Sequence, residues 1–582
     1  MNVSYRTSVS NVLVIGTGGA GMRAAIAAHS AGCEVTLLGK RMRKDAHTVL
    51  AAGGINAALA TVDPDDNWKW HYADTIRDGY FLNNPRMVEI MATEAPDAVL
   101  ELADWGCKFA TRADGRLDQR FFGAHRYRRT CYAGDYTGRA ILYTLAERVA
   151  QLGIAIHEYQ YVTHLLVKDS QCFGALAFNI HTGERTVYLA DAVVLAAGGH
   201  TRLWRRSSSR RDENTGDGYS LALRAGCQLA DMELVQFHPT GMTHPEDMAG
   251  TLVTEAVRGE GGRLYNSEGE RFMAKYDAER MELSTRDQVA LANYTEIIEG
   301  RAGANGGVFL DISHRDKDFI LKKLPRMYRQ FMESQMLDIS QTPMEVAPTA
   351  HYSMGGVVVD ADTTATDIVG LYAAGEVTAG LHGANRLGGN SLVETVVFGR
   401  LAGEHSAKFS AQTNVQMRDK AIIAAANDEL SDMIRDGSEM ARPLQRAVRN
   451  VMWENCGVVR SDERLQTGLA RLHELRDAAK TLDVRPSSEG WQDLALAFDL
   501  RGALDSAEAT LRSAIERRES RGAHQRSDYP YVDSVQEVNY RVQLRSDGVQ
   551  DVTKASVPAI PDELRSFVND DPQLLFKGRL LE

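Results

Sequence analysis

The sequence predicts an α/β protein: a Rossmann-like dinucleotide-binding domain with an inserted α+β capping domain, followed by a helical domain and a short C-terminal domain. Three observations predict it. The stretch NVLVIGTGGAGMRAAIAAHSAGCEVTLLGK (11–40) runs from an apolar, β-branched strand through a glycine turn into an alanine-rich helix and on to a second strand, which is a βαβ opening. Two later strand-and-glycine signals, ADAVVLAAGG (190–199) and DIVGLYAAGE (367–376), add strands to the same parallel sheet from far along the chain. Beyond about residue 415 the apolar spacing becomes helical. Leu444, Val448, Val451 and Met452 fall at i, i+4, i+7 and i+8, and Leu465, Leu469 and Leu472 repeat the stripe, marking core-facing helix surfaces.

The 582 residues, 44% hydrophobic and 25% charged, leave room for three or four domains at roughly 100–200 residues each. The expected division assigns 1–232 and 345–405 to the dinucleotide-binding domain and 233–344 to the insertion. Residues 406–530 form the helical domain, and 531–582 a polar C-terminal extension. A formal net charge of −12 argues against a nucleic-acid partner, because phosphate binding is driven by Lys and Arg that displace counterions. Cys33, Cys107, Cys131, Cys172, Cys227 and Cys456 are scattered with no C-x-x-C, so neither a disulfide framework nor a metal site is expected, and a reducing compartment fits. No apolar run approaches the roughly 18 residues that cross a bilayer, and no signal-peptide pattern precedes the first strand. A soluble, cytoplasmic chain is expected, compatible with docking onto a membrane complex.

Gly16, Gly18 and Gly21 form G-x-G-x-x-G between strand and helix. The first permits the tight turn, the second lets backbone approach a pyrophosphate, and the third lets helix and sheet pack closely, with the positive helix end facing the phosphates. The second strand ends in Leu37, Leu38, Gly39 and Lys40, with no acid at the ribose-reading position, which disfavours NAD. Asp217, in NTGDGYS, is a candidate carboxylate for a cofactor contacted by distant segments, as FAD is; an acid capping the helix that starts near Gly218 fits the local sequence equally well. His47, in KDAHTVLAAGG, would on its own be read as a solvated or hydrogen-bonded loop histidine.

Seven stretches point further: HTVLAAGGINAAL (47–59), QFHPTG (236–241), LVTEAVRGEGG (252–262), STRD (284–287), AHYSMGG (350–356), HGANRLGGNSL (382–392) and ESRGAHQRSDYP (519–530). In these, and in their order along nearly the whole chain, the sequence resembles the flavoprotein subunit of the succinate dehydrogenase and fumarate reductase family, which is related to L-aspartate oxidase. The resemblance implies FAD joined covalently from the His47 imidazole to the flavin 8α-methyl, a link that makes the flavin a stronger oxidant. Small neighbours Ala51, Ala52, Gly53 and Gly54 would let the flavin ring lie on the backbone. It also implies cofactor contacts from Gly19, Gly39, Lys40, Thr48, Glu376, Ser391 and Leu392.

The implied substrate is a four-carbon dicarboxylate, succinate or fumarate. His238 and Thr254 match the donors to one carboxylate, and His351 and Arg386 those to the other; an Arg fork meets a carboxylate with two parallel hydrogen bonds. Arg286 matches the proton-transferring arginine. Because its pKa exceeds about 12, a guanidinium must pass its proton on through neighbours, and Glu255 and Arg258 match that relay. They lie three apart and share a face if the stretch is helical; the plain alternative is a surface ion pair. Singly, each of these residues is as readily a structural hydrogen-bonder, and the set is what points to a site.

The implied partners are an iron–sulfur subunit, because these cysteines are too few and dispersed to hold clusters, and a membrane anchor that would place the chain peripherally on the cytoplasmic face of the inner membrane. Two positions depart from the family pattern. Ala52 stands where the dehydrogenases have Gln and the fumarate reductases Glu, and Ala350 replaces a common Cys. The stretch FFGAHRYRRTCYAGDYTGR is also shorter than its counterpart, as in a divergent branch. L-aspartate oxidase shares the pattern but lacks the linking histidine, so His47 favours the dehydrogenase/reductase reading. A non-catalytic flavin-binding subunit would have no use for the complete set of carboxylate and proton-transfer residues.

Overall fold

The computed structural model describes residues 4–487 and 490–569. At its centre lies a seven-stranded sheet that takes in both distant strand signals. Strand Arg6–Ile15 is flanked in parallel by Val35–Leu38 and by Arg185–Leu195, and Leu371–Ala373 pairs in parallel with the end of the latter, Leu371 opposite Val193. Ala155–His157 extends one edge, while Gln171–Asn179 and Gln160–Lys168 extend the other as an antiparallel hairpin. Val12, Leu13, Val14, Val193, Val194 and Leu195 are all fully buried. That continuous apolar run is what a parallel strand covered on both faces requires. Helix Gly19–Ser30, which follows the glycine turn, packs along helix Asn390–Gln412 over one face.

The insertion builds a separate four-stranded antiparallel sheet from Val235–Met242, Met344–Ser353, Val308–Asp311 and Arg263–Tyr265, with helix Arg286–Ile298 packed on it. It has its own core, including Val257, Phe272, Leu310 and Phe331. Strand Met344–Ser353 runs across residue 345, where the sequence placed the return to the nucleotide domain. Phe237 stands opposite Ala350 and His238 opposite Thr349, so this sheet continues to Ser353.

Helices Lys420–Asp432, Ala441–Asn455, Asp462–Ala478 and Gln492–Glu516 follow. The predicted stripe residues Leu444, Val448, Val451, Met452, Leu465 and Leu472 are buried, and Leu469 is half-buried against the same core. The C-terminal part is more than a polar extension. Val538–Leu544 and Gln550–Ser556 form an antiparallel hairpin, and the first of them pairs with Leu229–Ala230, which in turn pairs with Gly356–Val357. Tyr540 and Val542 supply its buried face. Residues 570–582 of the expected extension lie outside the described residues.

Arg517, at the end of the longest helix, ties this hairpin to the nucleotide domain. It pairs with Glu233 at 2.6 Å, Glu519 at 3.1 Å and Asp231 at 3.4 Å, and donates to the carbonyls of Gln536 and Val538. Burial opposes its charge, but Glu233, Asp231 and Glu519 outweigh that and raise its pKa. Arg517→Ala would leave these carboxylates buried without their cation, a loss of about 3–5 kcal/mol for a broken buried ion pair. Chemical denaturation should show that loss, and an unchanged midpoint would remove Arg517 as the tie.

Candidate active site

The glycine turn opens one end of an elongated cavity. At Gly16, with φ +120°, a Cβ would lie 2.1 Å from the Ala196 carbonyl oxygen, and at Gly21 it would lie 1.8 Å from that of Gly16. Both positions therefore require bare backbone. Helix Gly19–Ser30 starts at Gly18, which has no side chain to cap it, so its positive end faces the cavity, where an anion suits it. Thr48 Oγ1 accepts from the Gly19 N–H at 3.0 Å. Gly16, Gly18, Gly19, Lys40, His47, Thr48, Gly53, Gly54, Asp217, Glu376, Ser391 and Leu392 all line this cavity. Gly21 and Gly39 sit behind its wall. A Cβ on Gly39 would lie 2.8 Å from the Arg41 carbonyl oxygen.

Lys40, at the end of the second strand, is held by acids from distant segments. Its Nζ reaches Asp499 at 2.7 Å and Asp217 at 3.3 Å and lies 4.8 Å from the centre of the Tyr161 ring. Burial works against its charge, and Asp217 and Asp499 overcome it to raise its pKa. Asp217 does not cap a helix from outside. It is the first residue of Asp217–Arg224, Gly216 holds the cap position, and Asp217 Oδ2 faces Lys40.

His47 opens a single 3₁₀ turn, His47–Leu50, rather than a free loop. Its Nδ1 lies 3.3 Å from Glu213 Oε2. Burial would lower its pKa, but Glu213 and then Glu376 raise it above the ordinary value. Ala52, 2% exposed, is part of the cavity wall here.

The other end gathers His238 and His351 from the inserted sheet, Thr254 and Glu255 from the segment before the short helix Ala256–Gly259, Arg286 from the helix packed on that sheet, and Arg386 from the segment 382–389. Arg286, the first residue of its helix, donates from Nε to Glu255 Oε2 at 2.7 Å, with Nη2 at 2.6 Å from the same oxygen. Its Nη1 donates to Gln236 Oε1 at 3.1 Å, and Arg386 Nη2 donates to that same oxygen at 3.0 Å. Gln236 is fixed in turn by donating to Asn385 Oδ1 and to the Arg386 carbonyl, each at 2.8 Å. The Gly123 N–H donates to Glu255 Oε1 at 3.2 Å.

Arg258 lies one step back from the cavity, with Nη2 at 3.9 Å from Glu255 Oε1 and Nη1 donating to the Glu282 carbonyl at 2.5 Å. The short helix Ala256–Gly259 sets their common face, and both are buried, which excludes the surface ion pair. Gln236 and Glu213 went unremarked in the sequence, although Gln236 opens QFHPTG itself.

The His238 and His351 rings pack edge to face, 5.1 Å between centroids. Burial, then the neighbouring Arg286 for His238 and His238 itself for His351, pushes both well below the ordinary imidazole value, so both are neutral. His351 Nδ1 lies 2.8 Å from Ser208 Oγ. Arg386 is pushed down to about 10 by burial and by Arg286. Three guanidinium groups thus face one ionised carboxylate and two neutral rings. The excess positive charge suits a dianion, and the uncapped helix and bare glycines at the other end suit a pyrophosphate.

Residues 11–392 match the family model of the FAD-binding domain, and residues 445–554 match that of the fumarate reductase flavoprotein C-terminus. The chain is an FAD-dependent oxidoreductase and belongs to the family of succinate dehydrogenase and fumarate reductase flavoprotein subunits. It is 45% identical over 522 residues to one of the subunits of the fumarate reductase (CoM/CoB) of Methanothermobacter marburgensis, covering 89% of this chain and 94% of that one. It is 36% identical over 545 residues to the succinate dehydrogenase flavoprotein subunit of Rickettsia conorii, covering 89% and 90%. Among solved structures, a chain of the E. coli quinol fumarate reductase superposes with a TM-score of 0.90 at 34% identity, covering 95% of this chain and 97% of that one. The Mycobacterium smegmatis Sdh1 in complex with UQ1 gives 0.86 at 38%, covering 96% of each.

Glu255 yields a pH prediction. Burial favours its neutral form, but Arg286 and Arg258 outweigh burial and hold its pKa at about 2. A depressed carboxyl contributes stability that is present above its unfolded pKa of about 4.3 and is lost as pH falls toward the folded value. Glu255→Gln should therefore be less stable than the parent by roughly 2–4 kcal/mol near neutral pH, with the gap closing toward about pH 2. Denaturation curves across that range check it, and a gap independent of pH would contradict the assignment.

Proposed function

We propose that this chain interconverts succinate and fumarate, with Arg286 as the proton shuttle. The observation that carries this reading is the pairing of Arg286 with ionised Glu255 beside Arg386, all around Gln236. When bound, FAD supplies N5 as the hydride acceptor or donor. Arg386 and His351 hold one carboxylate of the substrate, and His238 and Thr254 the other, so that the molecule lies extended across the site. The two imidazoles act as neutral donors, and Arg386 provides the charge-assisted fork. In succinate oxidation Arg286 takes the methylene proton, having passed its own to Glu255, and Glu255 hands that proton on to Arg258 as Arg258 releases one of its own toward solvent. Fumarate reduction runs the same relay backwards.

The Nδ1 of His47 is engaged by Glu213, which leaves Nε2 as the nitrogen for a covalent link to FAD. Orientation of one ring nitrogen by a carboxylate fixes the tautomer and position of the other. The electrons pass to an iron–sulfur subunit, and a membrane anchor holds the assembly at the cytoplasmic face of the inner membrane. The relatives named as subunits of such enzymes support this arrangement, and no helix among the described residues is long and apolar enough to cross a membrane.

Acid precipitation tests the link. Yellow colour should stay with the pellet, and His47→Ser should release it to the supernatant while weakening succinate oxidation more than fumarate reduction. Flavin leaving the parent protein entirely would favour the aspartate oxidase chemistry. Arg286→Ala should lower turnover in both directions by about 10²–10⁴-fold, the usual range for a lost acid–base group, with FAD content unchanged. Residual turnover near the parent level would remove Arg286 from the relay.

A further inference from the structure

Behind Gln236 lie two acids that the proton relay leaves unused. Asp78 is the last residue of helix Trp68–Asp78, and Asp287 the second of helix Arg286–Ile298. Both are buried, and Asn385 Nδ2 donates to Asp78 Oδ1 at 3.1 Å and to Asp287 Oδ1 at 3.0 Å. Among the described residues neither acid forms an ion pair. The neighbouring guanidinium, Arg286, is engaged by Glu255 and Gln236. Two buried carboxyl groups gathered on one amide, with no cation paired to either, favour a single charge between them.

The surroundings decide which of them keeps the proton. Asp287 lies in the first turn of its helix, where the positive end favours an anion, and Tyr80 donates its hydroxyl to Asp287 Oδ2 at 2.5 Å. Asp78 sits at the negative end of its own helix, with Asn385 as the donor to its carboxyl. Burial and then Asp287 push the Asp78 carboxyl well above the usual carboxylate range; Arg286 opposes the rise and Glu255 adds to it. Burial raises Asp287 too, against the Tyr80 hydrogen bond. On the Asp78 helix, Arg77 is taken by Asp74.

The backbone is strained where it builds this arrangement. Just after Asp78, Tyr80 and Phe81 both take left-handed conformations, with φ of +52° and +62°, which side chains of this size rarely adopt. The turn is clamped to the segment that carries Arg386. The Ala384 N–H donates to the Gly79 carbonyl at 2.8 Å, and Asn83 Nδ2 to the Leu381 carbonyl at 2.8 Å. Arg521 Nη1 donates to the Tyr80 carbonyl at 2.9 Å. Asn385, next in sequence to Arg386, passes the position of both acids to Gln236 by accepting from its Nε2 at 2.8 Å.

We propose that Asp78 is kept as a neutral carboxylic acid beside ionised Asp287, and that this pair, through Asn385, is the positioning unit for Gln236 and the two guanidinium groups it holds. The proposal rests on the proposed function in taking the ligand of those groups to be a diacid. A second negative charge behind Gln236 would offset the positive charge with which Arg286 and Arg386 meet that diacid. Loss of the acceptor would instead leave Asn385 free to turn, and Gln236 with it. A neutral Asp78 avoids both, since it accepts from Asn385 and adds no charge.

The test uses the FAD-loaded full chain as the parent, Asp78→Leu and Asp78→Asn. The probe is malonate, a diacid with no CH2–CH2 unit to oxidise, its binding read from the flavin absorbance. Asp78→Leu removes the acceptor and should raise the malonate dissociation constant and the succinate KM about tenfold, the scale of one buried hydrogen bond. Asp78→Ala carries the same expectation if the leucine variant does not fold. Asp78→Asn returns a neutral acceptor of the same shape and should restore both values. It should also be more stable than the parent near neutral pH. A carboxyl whose pKa is raised on folding adds stability below its unfolded pKa of about 3.9 and loses it as pH rises, so the gap should open above about pH 4. An infrared difference spectrum, parent minus Asp78→Asn, should show a carboxylic acid C=O band near neutral pH that shifts in heavy water. No such band, or Asp78→Asn less stable than the parent near neutral pH, would overturn the neutral acid. Unchanged malonate binding on loss of the acceptor would overturn the positioning role. A parent that binds malonate but turns over neither succinate nor fumarate would sink the proposed function instead, and malonate binding and the infrared band would still decide the role of Asp78.

Discussion

A single amide oxygen, Oε1 of Gln236, accepts from two guanidinium groups at 3.1 and 3.0 Å. Left to themselves, Arg286 and Arg386 would separate, because like charges in a poorly solvated cavity repel far more strongly than in water. The shared acceptor and Glu255 hold them at working distance. Gln236 can do this because its own amide N–H groups are tied to Asn385 and to the Arg386 backbone, and Asn385 is in turn held by Asp78 and Asp287. Three elements meet at this point: a strand of the inserted sheet, a helix packed on that sheet, and the loop that leads into helix Asn390–Gln412. The insertion and the nucleotide-binding domain are therefore joined through groups that line the cavity.

The same network leaves an excess of positive charge at this end of the cavity, since only Glu255 among its facing groups is an ionised acid while both imidazoles stay neutral. Such a site is poised for an anion. A monoanion would leave part of the repulsion uncancelled, whereas a dicarboxylate reaches both clusters of donors at once. The proposed preference for a short diacid rests on this charge spacing, with hydrogen bonds adding direction.

How much of this could be read in the sequence depends on how local the constraint is. The glycine turn was legible because Gly16 and Gly21 answer to atoms a few residues or one strand away, and only bare backbone fits. The strand at 371–373 was legible from its apolar run and trailing glycine. The helical stripes were legible from period alone. The partner of Lys40 was not, because Asp499 lies 459 residues along and on a helix whose pattern reports only its core face. Nor was the structure of 538–556, where polar residues alternate with Tyr540 and Val542 in a hairpin that buries one face. The role of Gln236 was hidden in plain view, since an uncharged amide gives no charge signal and its importance appears only once two arginines from other segments arrive.

The arginines themselves separate into two kinds, and the difference reads function out of packing. Arg129 is fully buried with Asp66 and Asp74 both bound to it, and Arg517 is surrounded by three carboxylates and two carbonyls. Their charge is spent inside the fold, as a buried charge requires. Arg386 keeps Nε without a protein partner although the residue is only 2% exposed, and it stacks on Tyr352 at 4.2 Å instead of on an acid. A buried guanidinium left short of partners is unfavourable unless something else completes it. The fold retains that deficit at the cavity while satisfying it at Arg129 and Arg517. Incomplete pairing at Arg386 thus marks a point in the cavity that an anion would complete.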